Sequence, residues 1–159
     1  MFCNKYNHSV DDKGRLIIPT EYRPELVGND MTQSHNFYIT TNLWDPKGRK
    51  EPCLCLWPEE NFGELKAKLE NVSDSQESVR RFKRRFFSNT QSTALDKQGR
   101  ISIVSDLKQY AGIDKNVMMI GMDKHIELWD YDAWMRYNGA DEDEEDDEAW
   151  TETLGALGL

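Results

Sequence analysis

The stretch Ser9-Val10-Asp11-Asp12-Lys13-Gly14-Arg15-Leu16-Ile17-Ile18 returns 85 positions later as Ala94-Leu95-Asp96-Lys97-Gln98-Gly99-Arg100-Ile101-Ser102-Ile103. Both copies read as an apolar residue, Asp, two polar residues, Gly and Arg, followed by an alternating strand. Asp-x-x-Gly-Arg suits a tight turn, because the Asp carboxylate accepts backbone N–H groups and Gly supplies positive φ without a Cβ clash. A second block repeats in the same order at an offset of 72: Leu54-Cys55-Leu56-Trp57 matches Ile126-Glu127-Leu128-Trp129, and Phe62 matches Trp134. The chain is therefore a tandem repeat. Its first copy carries 13 extra residues between the blocks, within a spacer at 28–52 whose Trp44-Asp45-Pro46-Lys47-Gly48-Arg49-Lys50 is loop chemistry.

Each copy reads as strand, turn, strand, short helix, strand, strand, helix. Pro19 and Pro24 bracket the short helix of copy one, and Ser105 is a competent cap for its counterpart. Further strands are predicted at 37–41 and 117–120. The closing helix of copy one starts near Pro58, with Phe62, Leu65 and Leu69 at helical spacing; Ala133, Trp134 and Tyr137 take that part in copy two. Between the copies, Val79, Phe82 and Phe86 share one helical face, while Arg80, Arg81, Lys83, Arg84 and Arg85 cover the rest. The organisation is a first module at 1–76, a basic helix and second module at 77–138, and a tail at 139–159.

The net charge of −9 is misleading. Nine of the 29 carboxylates lie beyond residue 138, where there is no Lys or Arg, leaving 20 acidic against 20 basic residues in the body. The block at 141–148 repels itself and is expected to be disordered. A neutral body leaves nucleic acid open as a partner, with local cationic clusters deciding. No apolar run approaches a membrane span, and no apolar stretch follows the N-terminal Met1-Phe2-Cys3-Asn4-Lys5, so a cytoplasmic protein is expected. Cys3, Cys53 and Cys55 form no metal-ligand spacing, and Cys53 and Cys55 read as buried small apolar residues. His8, His35 and His125 show no ligand pattern, and no nucleophilic, phosphate-binding or metal motif is present. Neither an enzyme nor a cofactor is expected.

Arg15 follows Asp11 by four residues and Arg100 follows Asp96 by four. Each pair can close a turn as an ion pair, or the arginines can read bases, since a two-stranded ribbon fits the major groove and Arg pairs bidentately with guanine. Lys13, Lys97 and the cluster at 80–85 are candidates for phosphate contact. Gly14 and Gly99 set turn geometry in either case.

Over roughly 1–138 the sequence resembles the MraZ family. The resemblance rests on Tyr6 to Arg15, the segment Arg81-Phe82 to Phe87-Ser88, Leu95 to Ile101, Tyr110-Ala111-Gly112 and Ile126-Glu127-Leu128-Trp129. It implies an α+β fold of two tandem AbrB-like swapped hairpins with short helices, related by a pseudo-two-fold. It also implies a ring-forming homo-oligomer that binds repeated promoter elements on double-stranded DNA, upstream of the division and cell-wall gene cluster and of its own gene. On that resemblance Arg15 and Arg100 contact DNA, while Asp11, Gly14, Asp96 and Gly99 hold the turns. A nucleoid-associated protein with no membrane or small-molecule substrate follows. The sequence departs from the family at Ile103-Val104-Ser105, at the long Trp44–Pro52 loop and in the acidic tail. The alternative is an antitoxin-like module whose tail binds a partner protein, although such proteins usually carry a single module.

Overall fold

In the computed structural model, which describes residues 1–27, 35–140 and 144–159, the copies are threaded through one another. Copy one supplies strands β1 (Lys5–Ser9), β2 (Arg15–Ile17), β3 (Phe37–Thr41) and β4 (Leu54–Pro58) and helices α1 (Arg23–Val27) and α2 (Glu59–Glu70). Helix α3 (Glu77–Ser88) leads into copy two: β5 (Gln91–Thr93), β6 (Arg100–Ser102), α4 (Ser105–Ala111), β7 (Asn116–Gly121), β8 (Ile126–Asp130) and α5 (Tyr131–Ala140). Helix α6 (Glu144–Ala156) follows. Parts of the spacer (28–34) and of the acidic block (141–143) lie outside the described residues.

The first strand of each copy leaves its own module. β1 pairs antiparallel with β7, and β5 with β3, so the six-stranded sheet runs β1-β7-β8-β4-β3-β5. That order is unchanged when equivalent strands of the copies are exchanged. The second strands pair with each other as a separate two-stranded ribbon, β2–β6. The fold class expected from the sequence, an α+β protein built from tandem β-modules, is what the structure has.

Alternation assigns the layers. On the central β4, Leu54 and Leu56 point to one core and Cys55 and Trp57 to another. The first core joins the sheet to the ribbon and to α1 and α4 through Leu16, Ile18, Leu26, Ile101, Ile103 and Leu107. The second lies across the sheet, where Phe62 of α2 and Phe86 of α3 pack beside Cys55 and Trp57, and Trp134 and Tyr137 of α5 pack on Trp129. Ribbon and basic helix thus sit on opposite faces. Cys53 and Cys55 are fully buried; the interaction of the two thiols holds that of Cys55 below its ordinary value and, together with burial, pushes that of Cys53 up.

Three local expectations are corrected. Pro24 stands inside the first turn of α1 rather than at its end, a position where its missing N–H costs nothing. Val104, not Ser105, precedes α4, and its amide donates to the Gln91 side-chain oxygen at 3.0 Å. Within the acidic tail, for which the sequence predicts disorder, residues 144–156 form α6. Among the described residues no helix is long and apolar enough to cross a membrane.

Candidate nucleic-acid interface

The two Asp-x-x-Gly-Arg turns are built alike. In the first, Asp11 Oδ1 accepts from the amides of Lys13 (3.0 Å) and Arg15 (2.9 Å), and Oδ2 accepts from Arg15 Nε at 2.6 Å. In the second, Asp96 Oδ1 accepts from Gln98 and Arg100 (both 2.9 Å), and Oδ2 accepts from Arg100 Nε at 2.8 Å. The Gly14 and Gly99 amides close each turn onto the Asp carbonyl at 3.0 Å, with φ of +74° and +76°. The aspartates therefore hold the turns and also fix the azimuth of each arginine. The Arg15 amide, ahead of burial that opposes it, draws the Asp11 carboxyl below its ordinary value; the Arg100 amide does the same for Asp96.

The sign of the consequence is definite. A carboxyl with a lowered folded-state pKa contributes stability that is fully present above its unfolded value, about 3.9, and is lost as pH falls through the folded value. Asp11→Asn with Asp96→Asn is expected to flatten the acid limb of thermal stability below about pH 4. An acid limb identical to that of the wild type would show that these carboxylates do not carry it.

The turns are also clasped to each other. The Gly14 carbonyl accepts from the Ile103 amide at 2.8 Å, and the Gly99 carbonyl from the Ile18 amide at 2.9 Å, extending the ribbon at both ends. Within it, Arg15 faces Ser102 and Ile17 faces Arg100. Leu16 and Ile101 point into the core, which leaves Arg15, Ile17, Arg100 and Ser102 on the outer face. Arg100 Nη1 also approaches Asp11 Oδ2 at 4.0 Å, so the turns share one electrostatic neighbourhood. Lys13 and Lys97 are exposed at the turn tips.

Two cations escaped the sequence reading. Lys108 of α4 packs beside Gly14, its Nζ 3.5 Å from where a Cβ would stand, and the Arg23 guanidinium of α1 covers Gly99. They are equivalent residues of the two copies, 85 positions apart, so extending the turn alignment into the helices finds them. Each copy's helix thus lays a positive charge on the other copy's turn.

The cations of α3 are not brought to this surface. Arg80 donates to the carbonyls of Asp74 (2.8 Å) and Ser75 (2.9 Å), and Arg81 pairs with Glu77 at 2.9 Å. Lys83 pairs with Asp74 at 2.6 Å, and Arg85 donates to the Pro46 carbonyl at 3.0 Å. Arg84 is exposed.

Fold and site define a class: two interlocked strand–turn–strand modules that present a pair of Asp–Arg turns on one ribbon. The sequence comparisons narrow it. The family model described as "MraZ protein, putative antitoxin-like" matches residues 1–41 and 86–155. A protein of Finegoldia magna named transcriptional regulator MraZ is 38% identical over 138 residues, 87% of each chain. Proteins of the same name from Acetivibrio thermocellus and Clostridium acetobutylicum are each 35% identical over 159 residues, the full length of both chains. The chain belongs to the MraZ family.

Proposed function

We propose that the protein is a transcriptional regulator that reads double-stranded DNA with the outer face of the β2–β6 ribbon. The relatives' shared name supports the regulatory role. The observation that carries the DNA reading is the pair of matched Asp–Arg turns. A two-stranded ribbon fits the major groove, and with Nε committed to Asp each arginine still offers two terminal nitrogens to guanine O6 and N7. Ile17, 43% exposed and opposite Arg100, offers the apolar contact that reads a thymine methyl. Lys13, Lys97, Arg23 and Lys108 border this face as phosphate partners.

One protomer displays a single ribbon, a weak reader alone. Several ribbons on a homo-oligomeric ring would engage repeated promoter elements, with gains of about 10²–10⁴ from effective concentration. The division and cell-wall cluster and the protein's own promoter are the targets the family resemblance implies, in a cytoplasmic, nucleoid-associated setting. The test is a mobility shift on the upstream region against scrambled DNA at two salt concentrations. Retention of the specific complex at the higher salt is expected; equal binding of both DNAs at both salts overturns the reading.

The layering also divides the basic residues. Removing Lys13 or Lys97 should weaken all sequences alike and lower the salt slope by about 1 each. The arginines of α3 stand across the sheet, so Arg81→Ala with Arg84→Ala should leave that slope unchanged. A slope lowered by the α3 pair and not by the lysines would move the phosphate surface to α3. The second reading, an antitoxin-like module holding a partner protein by its tail, draws on the family's description and on the exposed Trp150 of α6; a small protein co-purifying in stoichiometric amount would favour it.

A further inference from the structure

Helix α3 and the end of α2 enclose an apolar cleft that nothing in the DNA reading uses. Leu69, Val72, Val79 and Phe82 line it, with Ser78 and Lys83 at its edge, over a volume of about 180 Å³. Val72 is 44% and Phe82 41% exposed, so the cleft lies open. Beside it runs the densest positive charge in the sequence, five cations in the six positions 80–85. The pairing partners within α3 and its approach are few: Glu77 for Arg81 and Asp74 for Lys83, while the other contacts of Arg80 and Arg85 are to neutral carbonyls. A net positive, apolar-centred surface about 18 Å long results, at about 1.5 Å per helical residue.

The same chain carries the complement. On α6, Trp150 and Leu154, with Leu157 just past its end, recur at spacings of four and three and form one stripe; Asp147 flanks it, while Glu148 and Glu152 lie on the opposite side. Trp150 is 70%, Leu157 67% and Leu159 84% exposed. The hydroxyls of Thr151 and Thr153 bond back to carbonyls of α6 itself, at 2.9 Å each. The helix is formed, acidic and apolar on one stripe, and its largest side chains are in solvent.

We infer that α6 of one chain docks along α3 of a second copy, its Trp150–Leu154–Leu157 stripe in the Leu69–Val72–Val79–Phe82 cleft and Asp147 at the edge where Lys83 stands, the acidic tail being drawn by the net positive helix. Net charge favours this occupant: the chain beyond residue 138 carries nine carboxylates and no Lys or Arg, and positions 80–85 carry five cations. The partner is a second copy because donor and acceptor are different surfaces and α6 of the chain itself stands with Trp150 and Leu157 exposed and Leu154 partly so. Such a contact is heterologous, the head-to-tail kind that closes rings when the rotation permits. The inference rests on the assembly part of the proposed function and supplies its contact; it is independent of the DNA reading. It also gives the acidic tail a role that leaves the ribbon uncovered, on the other side of the sheet.

The test uses full-length chains and light-scattering mass. Trp150→Asp with Leu154→Asp disables the helix, and Phe82→Glu with Val79→Glu disables the cleft; all four sites are at least partly exposed, and circular dichroism checks each fold. Each variant alone is expected to run as a monomer, whereas a 1:1 mixture of the two should yield a dimer, because one intact helix then meets one intact cleft. Lys83→Glu with Asp147→Arg should restore at least part of the mass that either single reversal loses. Variants that keep the mass of an oligomeric wild type place the interface elsewhere and overturn the inference while leaving the assembly reading standing. A mixture that stays monomeric means that the helix docks on its own chain, and also overturns it. A monomeric wild type removes both readings.

Discussion

Arg15→Ala and Arg100→Ala will each cost specific DNA binding about 5- to 150-fold, the equivalent of about 1–3 kcal/mol per bidentate arginine–guanine contact, while scrambled DNA is bound nearly as before. The double variant will lose most discrimination. The effect should exceed that of any single lysine change, because these arginines arrive with their orientation fixed: Nε is held by Asp11 or Asp96, and each guanidinium meets the groove without first being ordered. The replacement Arg15→Lys separates geometry from charge. It keeps the positive charge but not the fork, so it should fail nearly as badly on the specific site and leave the salt slope unchanged. Unaltered promoter affinity in the double alanine variant, at unchanged oligomer mass, would end the direct-readout proposal.

The second large effect concerns the turn glycines, and it is asymmetric. Both adopt positive φ, so alanine at either costs about 1–2 kcal/mol from backbone alone. At Gly14 the new Cβ would also stand 2.8 Å from the Ile103 carbonyl oxygen, backbone of the strand end that this turn clasps. At Gly99 the nearest atoms it would meet belong to the Arg23 guanidinium, the end of a flexible side chain whose Nε is held by the Ile18 carbonyl at 3.0 Å. Gly14→Ala should therefore lower Tm further than Gly99→Ala. At about 2–4 °C per kcal/mol for a chain of this size, Gly99→Ala should lose about 2–8 °C and Gly14→Ala visibly more. Equal losses at the two positions would mean that the ribbon relaxes around Gly14 as easily as Arg23 moves off Gly99.

Much of the architecture was legible because the repeat is long and its turns are chemically marked. Asp11 to Arg15 and Asp96 to Arg100 gave the turns, and the repeated Leu54–Trp57 and Ile126–Trp129 blocks gave the paired central strands β4 and β8. What the repeat by itself does not encode is the exchange of β1 and β5, which depends on sheet order across more than a hundred residues; the family resemblance implied it. The helix starts were misplaced where tertiary contact overrides local preference: Gln91 satisfies the Val104 amide, so no capping hydroxyl is needed at Ser105. The tail's helix was hidden by its charge, yet carboxylates such as Asp147 and Glu148 near an N-terminal turn suit the helix dipole. The separation of α3 from the turns is also marked in the sequence. Leu54-Cys55-Leu56-Trp57 is apolar on both faces of a strand, so that strand needs covering layers on both sides, and the phenylalanines of α3 and the apolar side of the ribbon are two candidates for them; in the structure every residue of β4 is buried.

The strand exchange also has a consequence during synthesis. Ser9 at the end of β1 faces Asn116 at the start of β7, 107 residues downstream. At about 5–20 residues per second, the ribosome leaves β1 without its neighbour for roughly 5–20 s. Through that interval β2 likewise waits for β6, and the nascent first module shows open strand edges and the apolar side chains of Leu16 and Ile18. A neighbouring nascent chain on the same messenger presents the same β7 and β6 sequences, so polysomes set pairing within a chain against pairing between chains.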